Sequence, residues 1–119
     1  MIRFSMLLVL LLGFEVHAQQ RDTSSGSYYL RGCKLAVSGS LSNNDVAAAQ
    51  REGQCIGVIQ ALLYVGPELS GLKFCPPPHA TFGQALTAVV RFMERNPQQM
   101  HLEFIGLVQV ALHETWPCT

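Results

Sequence analysis

Apolar side chains at Phe82, Ala85, Leu86, Val89, Val90 and Met93 recur at the i, i+3, i+4, i+7 spacing of one helix face, while Gln84, Thr87, Arg91, Glu94 and Arg95 occupy the other. Thr81 followed three residues later by Gln84 is a capping-box pattern, so the helix is expected to start at Thr81. Asn96-Pro97 ends it and is expected to open the next helix, with asparagine as cap and proline at the first helical position. In that next helix Met100, Phe104, Leu107, Val108, Ala111 and Leu112 form the inward stripe, and Glu103, Gln109, His113 and Glu114 look outward. The short connection predicts an antiparallel hairpin.

Upstream, Tyr29, Cys33, Ala36 and Val37 recur at helical spacing over a short helix beginning near Ser27, and Gly39–Asn44 reads as a reversal. A longer helix is expected over 45–65, stopped by Gly66-Pro67. Its polar residues come early, at Gln50, Arg51, Glu52 and Gln54, so its later half is expected to be buried nearly all round. Ala49, Gly53, Gly57 and Ala61 lie four apart, a stripe that lets another helix approach closely. Packing inside the domain is the favoured reading of that stripe, and a subunit contact is the other. No strand-like alternation and no internal repeat occurs, so the pattern predicts an all-α domain of four helices in two antiparallel hairpins.

The first eighteen residues stand apart from this pattern. Arg3, the apolar run Phe4–Phe14 and Val16-His17-Ala18 have the order of a secretory signal peptide, with cleavage expected after Ala18. The run is shorter than the roughly 20 apolar residues that span a bilayer, so no stable membrane anchor is expected. The next polar stretch, 19–27, is expected to be a flexible N-terminus, and the folded domain to occupy 28–118. The protein as a whole has 119 residues, of which 13% are charged, with eight Lys+Arg against eight Asp+Glu. That balance excludes the basic excess of a nucleic-acid binder, and 49% apolar residues exclude a disordered chain. Charge is well below the about 25% of a typical domain, which suggests surface covered by a partner.

All four cysteines, Cys33, Cys55, Cys75 and Cys118, lie beyond the leader. In an oxidising compartment an even count is most simply read as disulfides, and neither a CxxC pair nor an HxxxH exists to nucleate a metal site. Four cysteines allow three connectivities. An antiparallel hairpin sets the start of the third helix beside the end of the fourth, which pairs Cys75 with Cys118. Cys33 and Cys55 then pair by exclusion across the first hairpin, although their distances from the turn differ by about a helical turn.

No pattern for catalysis stands out. There is no glycine-rich phosphate loop, GxSxG elbow or haem-attachment motif, and no cofactor or metal is implied. A hydrolase using Cys75 and His79 is the least favoured reading. His101, among apolar neighbours, is expected to be a buried, hydrogen-bonded core histidine, with a binding or pH-sensing role as the alternative. The segment that departs from helical periodicity is 66–80, pinned by Cys75 and stiffened by Pro76-Pro77-Pro78. It is either a plain connector or a preorganised binding loop. If it binds a partner, Glu68, Leu69, Leu72, Lys73, Phe74 and His79 are its contact residues.

These residues carry a resemblance. Leu30-x-x-Cys33, Gln54-Cys55-Ile56-Gly57-Val58-Ile59, Phe74-Cys75-Pro76-Pro77, Thr81-Phe82-Gly83-Gln84-Ala85-Leu86, Asn96-Pro97, Ala111-Leu112 and Trp116-Pro117-Cys118, placed after an export signal, resemble the Rap/Tai immunity protein family over about residues 28 to 118. The resemblance implies a small periplasmic helical protein, often a homodimer. Such a protein protects a Gram-negative cell from peptidoglycan amidase effectors of type VI secretion, by binding the effector and obstructing its active-site cleft without chemistry of its own. The alternative is a non-immunity periplasmic helical binding module acting on an envelope protein or a small apolar ligand.

Overall fold

The computed structural model describes residues 22–39, 45–66 and 71–119. Among the described residues four α-helices occur in order: α1 (Gly26–Ser38), α2 (Val46–Val65), α3 (Phe82–Arg95) and α4 (Phe104–Thr115). The signal-peptide expectation, cleavage after Ala18 included, lies outside the described residues, as do 40–44 and 67–70.

Each of α1, α2 and α3 begins where a side chain satisfies free backbone donors. Ser25 caps α1 through the Tyr28 N–H, and Asp45 caps α2 through the Ala48 N–H. Thr81 and Gln84 form the reciprocal capping box of α3, with bonds of 3.2 and 2.9 Å. Gly39, in the left-handed region at φ 67°, ends α1 and donates its N–H to the Leu35 carbonyl.

The architecture is the expected all-α one, with α1 against α2 and α3 against α4. α1 also touches α3 and α4, which makes it the element joining the two hairpins. Tyr29 of α1 stacks on Phe104 of α4 with ring centroids 4.1 Å apart. Cys33, Cys55, Ile59, Ala85, Val89, Val108 and Leu112 are fully enclosed, and Phe74, Met93 and Phe104 nearly so.

Both disulfides are formed as expected. Cys33–Cys55 has a Cα–Cα separation of 5.4 Å and Cys75–Cys118 one of 5.0 Å. Helices usually pack with axes about 8–10 Å apart, so a bridge between two helix faces needs a close crossing. Gly32 supplies it. A Cβ there would collide with the Arg51 carbonyl group and lie 2.7 Å from the Glu52 nitrogen, so α1 rests directly on the α2 backbone.

That crossing overturns the intrachain reading of the small-residue stripe. Ala49, Gly53, Gly57 and Ala61 all face solvent, and nothing lies within 4 Å of a Cβ built on Gly53 or Gly57. The later half of α2 is likewise not buried all round. Ile59 and Leu62 are buried, whereas Gln60, Ala61 and Tyr64 are exposed, Tyr64 to 89%. The reason is geometric: α2 is partnered mainly by α1 along one side and meets α3 and α4 only slightly.

Three further expectations fail together at the N-terminal segment. The fourth helix starts at Phe104, and Pro97–Gln99 is a separate 3-10 turn. The backbone groups a continuous helix would use internally are bonded elsewhere. Gly26 N–H donates to the Leu102 carbonyl at 3.0 Å, Ser27 N–H to the Met100 carbonyl at 2.9 Å, and Phe104 N–H to the Ser24 carbonyl at 2.8 Å. Residues 24–27, expected to belong to a flexible terminus, are therefore clamped against 100–104, and Ser25 is buried. His101, expected in the core, sits in the turn this pairing creates and is exposed. The inward stripe from Met100 to Leu112 is nevertheless buried at every expected position.

Candidate partner-binding surface

The segment between α2 and α3 is anchored at its centre. Phe74 is 1% exposed, and Gly66 must lack a side chain because a Cβ there would enter the Phe74 ring. Phe74 forms an antiparallel bridge with Pro117, and Cys75 N–H donates to the Trp116 carbonyl at 2.7 Å. The Cys75–Cys118 bond crosses at the same place. Next to Phe74 on its N-terminal side, the Lys73 carbonyl oxygen lies 2.6 Å from His113 Nδ1. A carbonyl only accepts, so His113 Nδ1 is the donor of this contact. The loop is thus tied to the C-terminal end of α4 by a ring, a disulfide and two polar contacts.

The sequence-predicted contact residues separate under this anchoring. Leu72 is exposed, as are Lys73 and His79, whereas Phe74 is a core residue and presents nothing to a partner. Glu68 and Leu69 lie outside the described residues. Cys75 is held in a disulfide, and no free cysteine exists among the described residues, which removes the thiolate that the Cys75–His79 hydrolase reading requires.

Leu72 has companions that sequence reasoning missed. It lines an open groove of about 400 Å³ with Gln99, Leu102, Glu103, Gly106, Leu107, Gln109 and Val110. Two of the groove's large aliphatic side chains stand in water, Leu72 at 43% and Leu102 at 45% exposure, while Ile105, 53% exposed, lies outside the lining of the groove. A signal for them was present in the sequence. Leu102 and Ile105 are apolar residues that fall off the inward stripe of α4 and have no place in the core.

The rim of the groove has one carboxylate, Glu103, whose Oε1 accepts from the Ser24 hydroxyl at 3.0 Å. Burial, and after it the charges of Tyr28 and Glu103, raises the Tyr29 phenol above its ordinary value, so it stays neutral at physiological pH. No group of three or more His, Cys, Asp or Glu residues able to hold a metal occurs among the described residues. No described helix is long and apolar enough to cross a membrane. The arrangement has the makings of a docking face: aliphatic contacts on helices and a pinned loop, with few charges to desolvate.

The profile of the Rap1a immunity proteins matches residues 25–118, nearly the whole described chain. The chain belongs to the Rap1a immunity protein family. Membership implies an immunity protein that binds a protein effector, and together with the two disulfides it points to an exported protein. The match begins at Ser25, within the segment clamped to α4, and ends at Cys118, so both disulfides of this immunity protein fall inside it. No curated protein and no solved structure matches the chain.

Proposed function

We propose that this is a periplasmic immunity protein, mature from Gln19, that binds a peptidoglycan amidase effector of type VI secretion. It obstructs the effector's active-site cleft and performs no catalysis. The face that does this is the groove of Leu72, Leu102, Glu103 and Val110. The observation that carries the reading is the exposure of Leu72 and Leu102 on one open groove, beside a loop that a disulfide and a buried phenylalanine tie to the end of α4. Preorganised apolar contacts lose little ordering entropy on association, which favours tight inhibition by shape. The openness of the groove argues against a small apolar ligand, since such sites bury about 70–90% of the ligand surface.

A homodimer belongs to the same reading, through the outward stripe of Ala49, Gly53, Gly57 and Ala61 on α2. Val46 and Tyr64, 84% and 89% exposed, extend the patch at its two ends.

The test uses the mature protein and a candidate peptidoglycan amidase from its gene neighbourhood. Binding is measured by calorimetry and inhibition by cleavage of peptidoglycan. Leu72→Glu combined with Leu102→Asp is expected to weaken binding by roughly 100-fold or more, while Gln60→Glu on α2, away from the groove, leaves it unchanged. Tight binding without inhibition, or full affinity in the double variant, would refute the proposed face.

A further inference from the structure

The two crosslinks sit in opposite environments. Cys33 and Cys55 are fully enclosed by core side chains, whereas Cys75 and Cys118 are both exposed. Thiol–disulfide exchange needs a thiolate to reach a sulfur, so access decides which bond reacts in the folded protein. We infer that Cys75–Cys118 is a reversible exchange site for a small thiol or dithiol, while Cys33–Cys55 is closed to exchange until the bundle unfolds. Both crosslinks belong to the chain itself, so this difference does not depend on the identity of the effector.

In the reaction an incoming thiolate bonds to one sulfur of the pair as the Cys75–Cys118 bond breaks, and the electron pair leaves on the other sulfur. A second thiolate then attacks the mixed disulfide. The products are two cysteine thiols and one disulfide of the reductant, so the protein gains two electrons and two protons and the reductant loses them. Non-covalent contacts set the state of the reduced protein. Phe74 remains seated in the core, and the Phe74–Pro117 bridge with the Cys75 N–H to Trp116 carbonyl bond still holds the two segments in register. Both thiols therefore stay adjacent, and re-oxidation by a disulfide of the same class is intramolecular. The helices, held by the enclosed Cys33–Cys55 bond, are unaffected, so the exchange acts locally on the loop of Leu72 and Lys73 and on the end of α4.

The oxidised protein is incubated with dithiothreitol at neutral pH without denaturant. Samples are quenched with N-ethylmaleimide and mapped by mass spectrometry, with far-UV circular dichroism recorded in parallel. Cys75 and Cys118 are expected to label at least tenfold faster than Cys33 and Cys55, with the helical signal unchanged, and oxidised glutathione is expected to restore the Cys75–Cys118 peptide. Equal rates, the reverse order, or labelling that begins only as the helical signal is lost would overturn the inference. In the Cys75→Ser/Cys118→Ser variant the remaining bond should keep its slow rate. Labelling of Cys33 and Cys55 there as fast as the exposed pair reacts in the parent would also overturn it.

Discussion

The same chemical change, glycine to alanine, is expected to have opposite effects on α1 and α2. At Gly32 a new Cβ meets the Arg51 carbonyl group and the Glu52 nitrogen, and backbone atoms cannot swing aside as a side-chain end does. Overpacking of this kind costs about 1–3 kcal/mol. The better helix propensity of alanine offsets about 0.5–1 kcal/mol. Moving α1 away from α2 also strains the Cys33–Cys55 bond beside the contact. The net loss for Gly32→Ala should therefore lie near the upper end, about 2 kcal/mol. At Gly57 nothing lies within 4 Å inside the chain, so in the monomer, at low protein concentration, only the propensity gain remains and Gly57→Ala should stabilise by about 0.5–1 kcal/mol. For a domain of this size 1 kcal/mol moves Tm by roughly 4–8 °C. Thermal and guanidinium unfolding with disulfides intact should thus separate the two variants by at least about 10 °C. A Gly32→Ala variant as stable as Gly57→Ala would refute the close crossing of α1 on α2. A destabilised Gly57→Ala would show that the stripe is packed, and dependence of its Tm on protein concentration would identify the packing partner as a second copy.

Other perturbations test the remaining parts of the frame. Phe74→Ala removes a nearly fully buried ring and should cost about 3–5 kcal/mol in guanidinium unfolding, in contrast to Leu72→Ala beside it, which should cost under about 1 kcal/mol. Thr81→Ala breaks the capping box of α3 and should lower stability by about 1 kcal/mol, with Thr81→Ser retaining most of it. Loss of Cys33–Cys55 should cost about 3 kcal/mol by the chain-entropy model for a 22-residue separation, measured as the shift in denaturation midpoint of a Cys33→Ala/Cys55→Ala variant. The Asp22 carboxyl is held below its ordinary 3.8 by the Ser25 hydroxyl first, then by the Ser25 and Ser24 N–H groups. A depressed folded value means the tether is favoured above the unfolded value and lost as pH falls through the folded one. Hydrogen exchange at the Ser24 and Ser25 amides, measured on acidification after correction for intrinsic rates, should keep its protection at pH 3.8 and lose it only on further acidification, and Asp22→Asn should abolish that pH dependence.

Local chemistry made much of this protein legible without any tertiary contact. The capping box at Thr81, the proline stop after Val65 and the periodicity of Phe82–Met93 depend on neighbours within one or two helical turns, and the helices obey them closely. The cysteine pairs were also readable, because antiparallel hairpins leave few ways to bring four sulfurs together. Four small residues in a row on α2 signal that a helix is able to approach, but nothing local says whether one does. The approach is made instead by a single glycine, Gly32, on the partner helix. The start of α4 was misplaced for a related reason. Asn96-Pro97 is a sound local start signal, but Ser24–Ser27 captures the backbone groups of Met100–Phe104 across more than seventy residues of sequence. Phe74 and Leu72, two positions apart in one loop, look alike as candidate contacts, yet one fills the core and the other lines the groove.

Helix identity, most helix ends and the covalent pairing were thus determined by the sequence itself, because they depend on hydrogen bonds and periodicities within short stretches. Which face of α2 meets water, where α4 begins, and the assembly of Leu72, Leu102 and Val110 into one groove were decided only by the tertiary structure. Those features depend on how the two hairpins close on each other, and that closure is set by volume and backbone pairing between residues far apart in the chain.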